Sequence, residues 1–87
     1  MNKIIVTIKD EISAQSIDVE IPTEQPMETL KYDIAEAVNG SDSGMRIDVD
    51  RVDLFSERLN RMFFPSDTCN STGVWNGDIL VFRARKQ

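Results

Sequence analysis

The sequence predicts one two-layer α+β domain, in which a mixed sheet of four to five strands packs on a single helix. Three observations predict it. Residues 3–9 are rich in β-branched types and alternate in character, residues 16–21 alternate apolar with acidic positions, and the apolar residues after Pro26 recur at helical spacing. With 87 residues, the chain is long enough for one small domain, which we place at residues 1–87.

The first two strands are predicted to form an antiparallel hairpin, because the polar connection at 10–16 is too short for a crossover. Alternation separates the two faces of each strand, so that Ile5 and Lys9 point away from the core. The inward positions are Ile4, Val6, Ile8, Ile17, Val19 and Ile21.

A helix is predicted from about Pro26 to the Asn39-Gly40 stop. Proline suits the first turn because its missing amide proton has no partner there, and Thr23 or Gln25 is the candidate cap. The predicted buried stripe consists of Met27, Leu30, Ile34 and Val38, with Ala37 beside them.

The second half contains three further strands. The apolar residues of segment 45–56 change their phase of alternation, which predicts a bulge or bend near Asp50–Arg51 before a strand at 51–56. A short strand is predicted at 61–64 and the last strand at 79–84, with a polar stretch containing a helical turn between them.

Composition favours a soluble cytoplasmic protein that does not bind nucleic acid. The 10 Lys+Arg and 15 Asp+Glu give a net charge of −5, which disfavours phosphate backbones and anionic membranes. We find no apolar run of spanning length and no signal-peptide core, so membrane insertion is not expected. A single cysteine, Cys69, cannot form an internal disulfide.

The residue types needed for catalysis are sparse, so we expect a protein that is not an enzyme and has no cofactor. Histidine, the usual general base near neutral pH, is absent, and the four glycines are not clustered into a phosphate loop. Asp48, Asp50 and Asp53 lack the loop glycine and distal glutamate of a calcium site, and are interpreted as a solvated face. Cys69 is interpreted as a buried structural thiol.

The outward face of the sheet is the predicted partner-binding site. If the first, third and last strands are neighbours, four apolar side chains form one exposed patch, which usually marks an interaction surface. These are Ile5, Phe55, Ile79 and Val81, with Lys9 and Arg83 at the rim. The alternatives are that β-propensity alone placed apolar residues there, or that loop 40–50 covers them. Trp75 and Tyr32 are further candidate contacts, against ordinary roles as a core cover and an isolated exposed tyrosine.

The chain resembles the ubiquitin-like β-grasp family. Its opening strands and helix follow that family's order, and Gly73-Val74-Trp75-Asn76-Gly77-Asp78-Ile79-Leu80 matches a turn and strand common in it. There Gly77 and Asn76 supply a tight turn and Val74 fills the core beneath it. Conjugating members and sulfur carriers end in Gly-Gly, whereas this sequence contains no adjacent glycines, so conjugation is not expected.

Among non-conjugating relatives, the chain is most similar to the YukD/EsaB family of bacterial type VII (WXG-type) secretion systems. The resemblance implies a cytoplasmic, non-catalytic accessory that binds a component of the secretion machinery, with weak homo-oligomerisation as a further possibility. A second resemblance, at Phe64-Pro65-Ser66-Asp67, is to the small ubiquitin-like subunit of multicomponent monooxygenases, which supports the hydroxylase and holds no metal.

Overall fold

A computed structural model describes residues 2–85, which form five strands, two helices and a short 3-10 turn. The predicted order of strands and main helix is confirmed. The strands are β1 (Lys3–Asp10), β2 (Ser16–Pro22), β3 (Val52–Ser56), β4 (Arg61–Met62) and β5 (Ile79–Ala84), and the helices are α1 (Met27–Asn39) and α2 (Cys69–Thr72). Neither helix in this part of the chain is long and apolar enough to cross a bilayer.

The five strands form one mixed sheet in the order β2-β1-β5-β3-β4. β1 pairs antiparallel with β2 and parallel with β5, and β3 lies antiparallel on the other side of β5. The first and last strands are therefore central neighbours, as the sequence predicted. One face of this sheet packs on α1.

The helix buries a stripe slightly different from the predicted one. Ala35 is buried and Ala37 is exposed, so the prediction for Ala37 is wrong. Beside this stripe, the partly buried Lys31 reaches Asp53 on β3, with 3.6 Å between its Nζ and the carboxylate. Pro26 itself is the N-cap, and Thr23 instead bonds to the backbone of Asn2.

The phase change in segment 45–56 occurs at a bend in the predicted place, formed by a 3-10 turn and not by a β-bulge. A 3-10 turn at Val49–Arg51, capped by the Asp48 carboxylate, redirects the chain before β3 begins. Residues on both sides of this turn are thereby buried in the same core, including Ile47 and Leu54. Both strands are shorter than predicted. β3 begins at Val52 and not at residue 51, and β4 ends at Met62 and not at residue 64.

Loop 40–50 packs on the helix side of the sheet and does not cover the opposite face. The Asn39 side chain holds it there, accepting from the amide of Ile47 at 2.7 Å and donating to its carbonyl at 2.9 Å. Met45 and Ile47 join the main core as a result. The alternative that loop 40–50 covers the outward apolar side chains is therefore wrong.

The turn before β5 has the predicted construction. Gly77 has a φ of 91°, a conformation that glycine adopts without strain, and Val74 is buried beneath the turn. The predicted helical turn is α2, whose Thr68 and Ser71 side chains and backbone amides form a reciprocal cap.

Two isoleucines test where the stability of this core resides. Ile8 is fully buried in β1, whereas Ile12 in the β1–β2 turn is 79% exposed. We expect Ile8→Ala to lower the free energy of unfolding by about 2–5 kcal/mol, because it leaves a cavity. Ile12→Ala is expected to change it by less than about 0.5 kcal/mol. Urea denaturation measures both, and equal losses would contradict the described packing.

Candidate functional site

The face of the sheet that points away from α1 brings the six predicted site residues together. We call it the outer sheet face, defined by Ile5, Lys9, Phe55, Ile79, Val81 and Arg83. Val81 lies at its centre, aligned with Lys9 on β1 and with Phe55 on β3. Thr7 lies between Ile5 and Lys9 on the same face and is aligned with Ile79.

The predicted exposed patch of four apolar residues is nevertheless wrong. Ile5 is 49% exposed and Ile79 is half-buried, but Phe55 and Val81 are each only 8% exposed. The guanidinium of Arg83 lies 3.7 Å from the centre of the Phe55 ring, and its Nε is 3.3 Å from the Glu11 carboxylate. Arg83 is thus a cover over Phe55, where the sequence suggested only a charge at the rim.

The uncovered end of the outer sheet face joins the turn that carries Trp75. The amide of Ile5 donates to the Asn76 side-chain oxygen at 2.8 Å, and the Gly77 amide donates to the Ile5 carbonyl at 2.7 Å. These bonds fix the turn beside Ile5. Two large exposed side chains, Ile5 and Trp75, therefore flank the same short turn, with Trp75 60% exposed.

An arginine and an aspartate fix the turn and the ring of Trp75. Arg58 lies 4.0 Å from the ring centre. It donates two hydrogen bonds to Asp78, from Nε to Oδ1 at 2.8 Å and from Nη2 to Oδ2 at 2.9 Å. The same carboxylate accepts the Trp75 amide at 3.1 Å. The Arg58 hydrogen bond holds the pKa of Asp78 below its usual range. Trp75 is thus held by these contacts although it is largely exposed.

Arg61 and Phe64 repeat this combination on the helix side. Arg61 lies 5.4 Å from the centre of the Phe64 ring and binds Asp67 at 2.6 Å, while Asp67 also accepts the Phe64 amide at 2.8 Å. Phe64 is 68% exposed. The exposure of Phe64 and Ile12 was not predicted. Ile12 lies in a turn where no alternation pattern assigns a face, and Phe64 lies beyond the end of β4, which stops at Met62.

A groove of about 390 Å³ between α1 and the β3–β4 edge was also missed. Tyr32, Met62 and Phe64 are its exposed apolar lining, and Lys31, Asp53 and Arg85 are among its charged residues. Arg85 donates to Asp53 at 2.9 Å, and this hydrogen bond holds the pKa of that carboxyl below its usual range. The charges inside the groove largely compensate one another.

The aspartates of segment 48–53 have separate roles in the structure. Asp48 caps the 3-10 turn, Asp53 binds Arg85 and Lys31, and Asp50 accepts from Arg85 through its backbone carbonyl. Between residues 2 and 85, no group of three or more acidic, cysteine or histidine side chains is arranged to hold a metal ion.

Cys69 is fully buried at the start of α2, as predicted. Burial, with a smaller contribution from the Asp78 charge, raises the pKa of its thiol to about 11. The nearby Arg58 is engaged by Asp78. The thiol therefore lacks the low pKa of a reactive or redox-active cysteine.

The low reactivity of Cys69 can be measured by alkylation with iodoacetamide. At pH 8, we expect the native thiol to react at least about a hundredfold more slowly than the same thiol in denaturant, because thiolate is scarce and access is closed. Labelling is followed by mass spectrometry. Rapid labelling of the native chain would contradict the buried placement.

The carboxylate that holds Arg58 gives a pH-dependent test of the Trp75 turn. The folded pKa of Asp78 is depressed, so its contribution to stability is complete above the unfolded value of about 3.9 and is lost as the pH falls through the folded value. At pH 7, we expect Asp78→Asn to lower the free energy of unfolding by about 1–3 kcal/mol.

The difference between wild type and Asp78→Asn should shrink once the pH falls below about 3.9, as measured by urea denaturation across a pH series. The exposed Asp42 provides the control, since Asp42→Asn should change little at any pH. A difference that stays constant with pH would contradict the role of the ionised carboxylate.

Comparison with known proteins identifies the fold as a ubiquitin-like β-grasp. The chain is similar to ubiquitin from Caldiarchaeum subterraneum, with 15% identity, 99% of this chain and 98% of that chain covered, and a TM-score of 0.73. It is also similar to the ubiquitin-like domain of an Arabidopsis thaliana protein, with 18% identity, 100% and 82% coverage, and a TM-score of 0.72. No protein-family model and no curated sequence matches the chain. At these identities the likeness establishes the fold alone.

Proposed function

We propose that this protein is a non-catalytic interaction module that binds a protein partner non-covalently through the outer sheet face. The observation that carries the proposal is the pair of large exposed side chains, Ile5 and Trp75, on a turn fixed by hydrogen bonds and by Arg58. Exposed apolar groups that are already ordered lose little entropy on binding, which is why such groups serve as interface anchors.

Within this function, Ile5, Ile79 and Trp75 are the apolar anchors. Lys9 orients the partner by its charge, and Phe55, Val81 and Arg83 form the closed half of the same face. The resemblance to YukD/EsaB proteins supports a cytoplasmic partner in the type VII secretion machinery. The absence of adjacent glycines in the sequence supports binding without conjugation.

Single aspartate substitutions on the outer sheet face test this function. In Ile5→Asp and Ile79→Asp, a charge replaces an anchor at a site that is not fully buried, so the fold should persist while binding falls at least about tenfold. Tyr32→Asp is the matched control, because Tyr32 is 51% exposed but lies on α1. Circular dichroism checks that each variant is folded.

Binding is measured with the full chain as bait in its native host, with captured proteins identified by mass spectrometry. Capture of a type VII secretion component, such as a WXG protein or a membrane ATPase, would support the proposal if the two sheet variants lose this capture and the control keeps it. Recovery of a large di-iron hydroxylase would replace the secretion role by the oxygenase alternative. Unchanged capture by folded Ile5→Asp and Ile79→Asp would refute binding through this face.

A further inference from the structure

The contacts of Arg83 indicate that it is a movable cover. The Arg83 and Glu11 side chains are 47% and 50% exposed, and the Nε of Arg83 lies 3.3 Å from the Oε2 of Glu11. Ion pairs that are this accessible to water stabilise a fold very little. Phe55 beneath the guanidinium is held by the sheet and packs between β4 and β5. The cover can therefore move while the surface below it stays in place.

A second cation lies on the other side of Val81. Lys9 is exposed and aligned with Val81 across β1 and β5, and among the residues the structure describes no carboxylate lies within ion-pair distance of it. Four acidic groups near this surface have partners, and a fifth, the exposed Glu57, lies beside Ile79. Asp18 accepts from Thr7, Glu20 pairs with Lys3, Asp53 with Arg85, and Glu11 with Arg83.

The centre of the outer sheet face therefore consists of two apolar side chains between two cations, although the whole chain carries a charge of −5. This arrangement complements a partner segment that carries carboxylates beside an apolar side chain. A purely apolar partner would leave Phe55 covered. A basic partner would be repelled by both Lys9 and Arg83.

We infer that the partner of the outer sheet face is an acidic peptide segment. One of its carboxylates replaces Glu11 as the ion-pair partner of Arg83. When the guanidinium moves to the partner's carboxylate, an apolar side chain of the partner replaces it over Phe55 and contacts the neighbouring Val81. Since one carboxylate replaces another, Arg83 stays paired throughout, and the gain comes from the apolar area that is newly covered. This inference rests on the proposed function and specifies the chemistry of its partner.

Three synthetic peptides probe this chemistry on the isotope-labelled protein by NMR. They are acetyl-GELELEG-amide, acetyl-GKLKLKG-amide and acetyl-GESESEG-amide, which separate charge sign from apolar content. In the free protein, the Nε–H signal of Arg83 should be shifted upfield by the Phe55 ring current. We expect the Glu-Leu peptide to move this signal together with those of Lys9 and Val81, and to bind about tenfold more tightly than either other peptide.

Glu11→Gln tests the exchange of carboxylates. It removes the charge that competes with the peptide's carboxylate for Arg83, and it leaves Phe55 and Val81 unchanged. We expect it to tighten binding of the Glu-Leu peptide about threefold. Glu36→Gln, an exposed glutamate on α1, is the matched control and should leave binding unchanged. Arg83→Gln should weaken the preference for the Glu-Leu over the Lys-Leu peptide.

The outcomes separate the inference from the proposed function. Binding on the outer sheet face with an unmoved Arg83 signal, or with no effect of Glu11→Gln, would overturn the cover while leaving the face as the site. Equal binding of the acidic and basic peptides, or no binding up to about 5 mM, would overturn the acidic partner. Movement of the same signals on concentrating the protein without peptide would identify a second copy as the occupant instead. The aspartate variants at Ile5 and Ile79 test the face itself with the native partner.

Discussion

The parallel pairing of β1 with β5 is the constraint on which the rest of this structure depends. It places the first and last strands in the centre of the sheet. The buried centre against α1 consists of Val6, Ile8, Leu80 and Phe82. One main helix can cover only one face of such a sheet. The opposite face must therefore be protected by its own side chains or by a partner, and here the Arg83 side chain covers Phe55.

Arginines provide the protection. Arg58, Arg61 and Arg83 each lie over an aromatic ring and each pair with a carboxylate. Hydrogen bonds to the carboxylate hold Arg58 and Arg61 in place, whereas Arg83 has an exposed ion pair with Glu11. The result differs with the surroundings of the ring. Phe55 lies within the sheet and is sealed, whereas Trp75 and Phe64 belong to turns and remain exposed in a fixed orientation. The same interaction thus closes one part of the surface and presents two others as ordered anchors.

The exposed and closed parts of the outer sheet face suit a partner with more than one kind of contact. Ile5 and Trp75 offer apolar area without rearrangement, and the region below Arg83 becomes available only to a group that can hold the guanidinium elsewhere. Binding in two such parts would favour partners with an acidic residue at the correct distance from an apolar one. Selectivity then comes from charge, while affinity comes from buried area.

Local patterns in the sequence predict the strand and helix order, the inward faces of β1 and β5, the turn at Gly77 and the buried Cys69. Alternation, helical spacing and turn chemistry are local, so they can be recognised before the chain folds. The sequence also placed the six site residues on one face. Long-range packing is what covers Phe55, since the exposure of its ring depends on where the long side chain of Arg83 lies. That position is set by Glu11, which is distant along the chain and close only because β1 and β5 are paired.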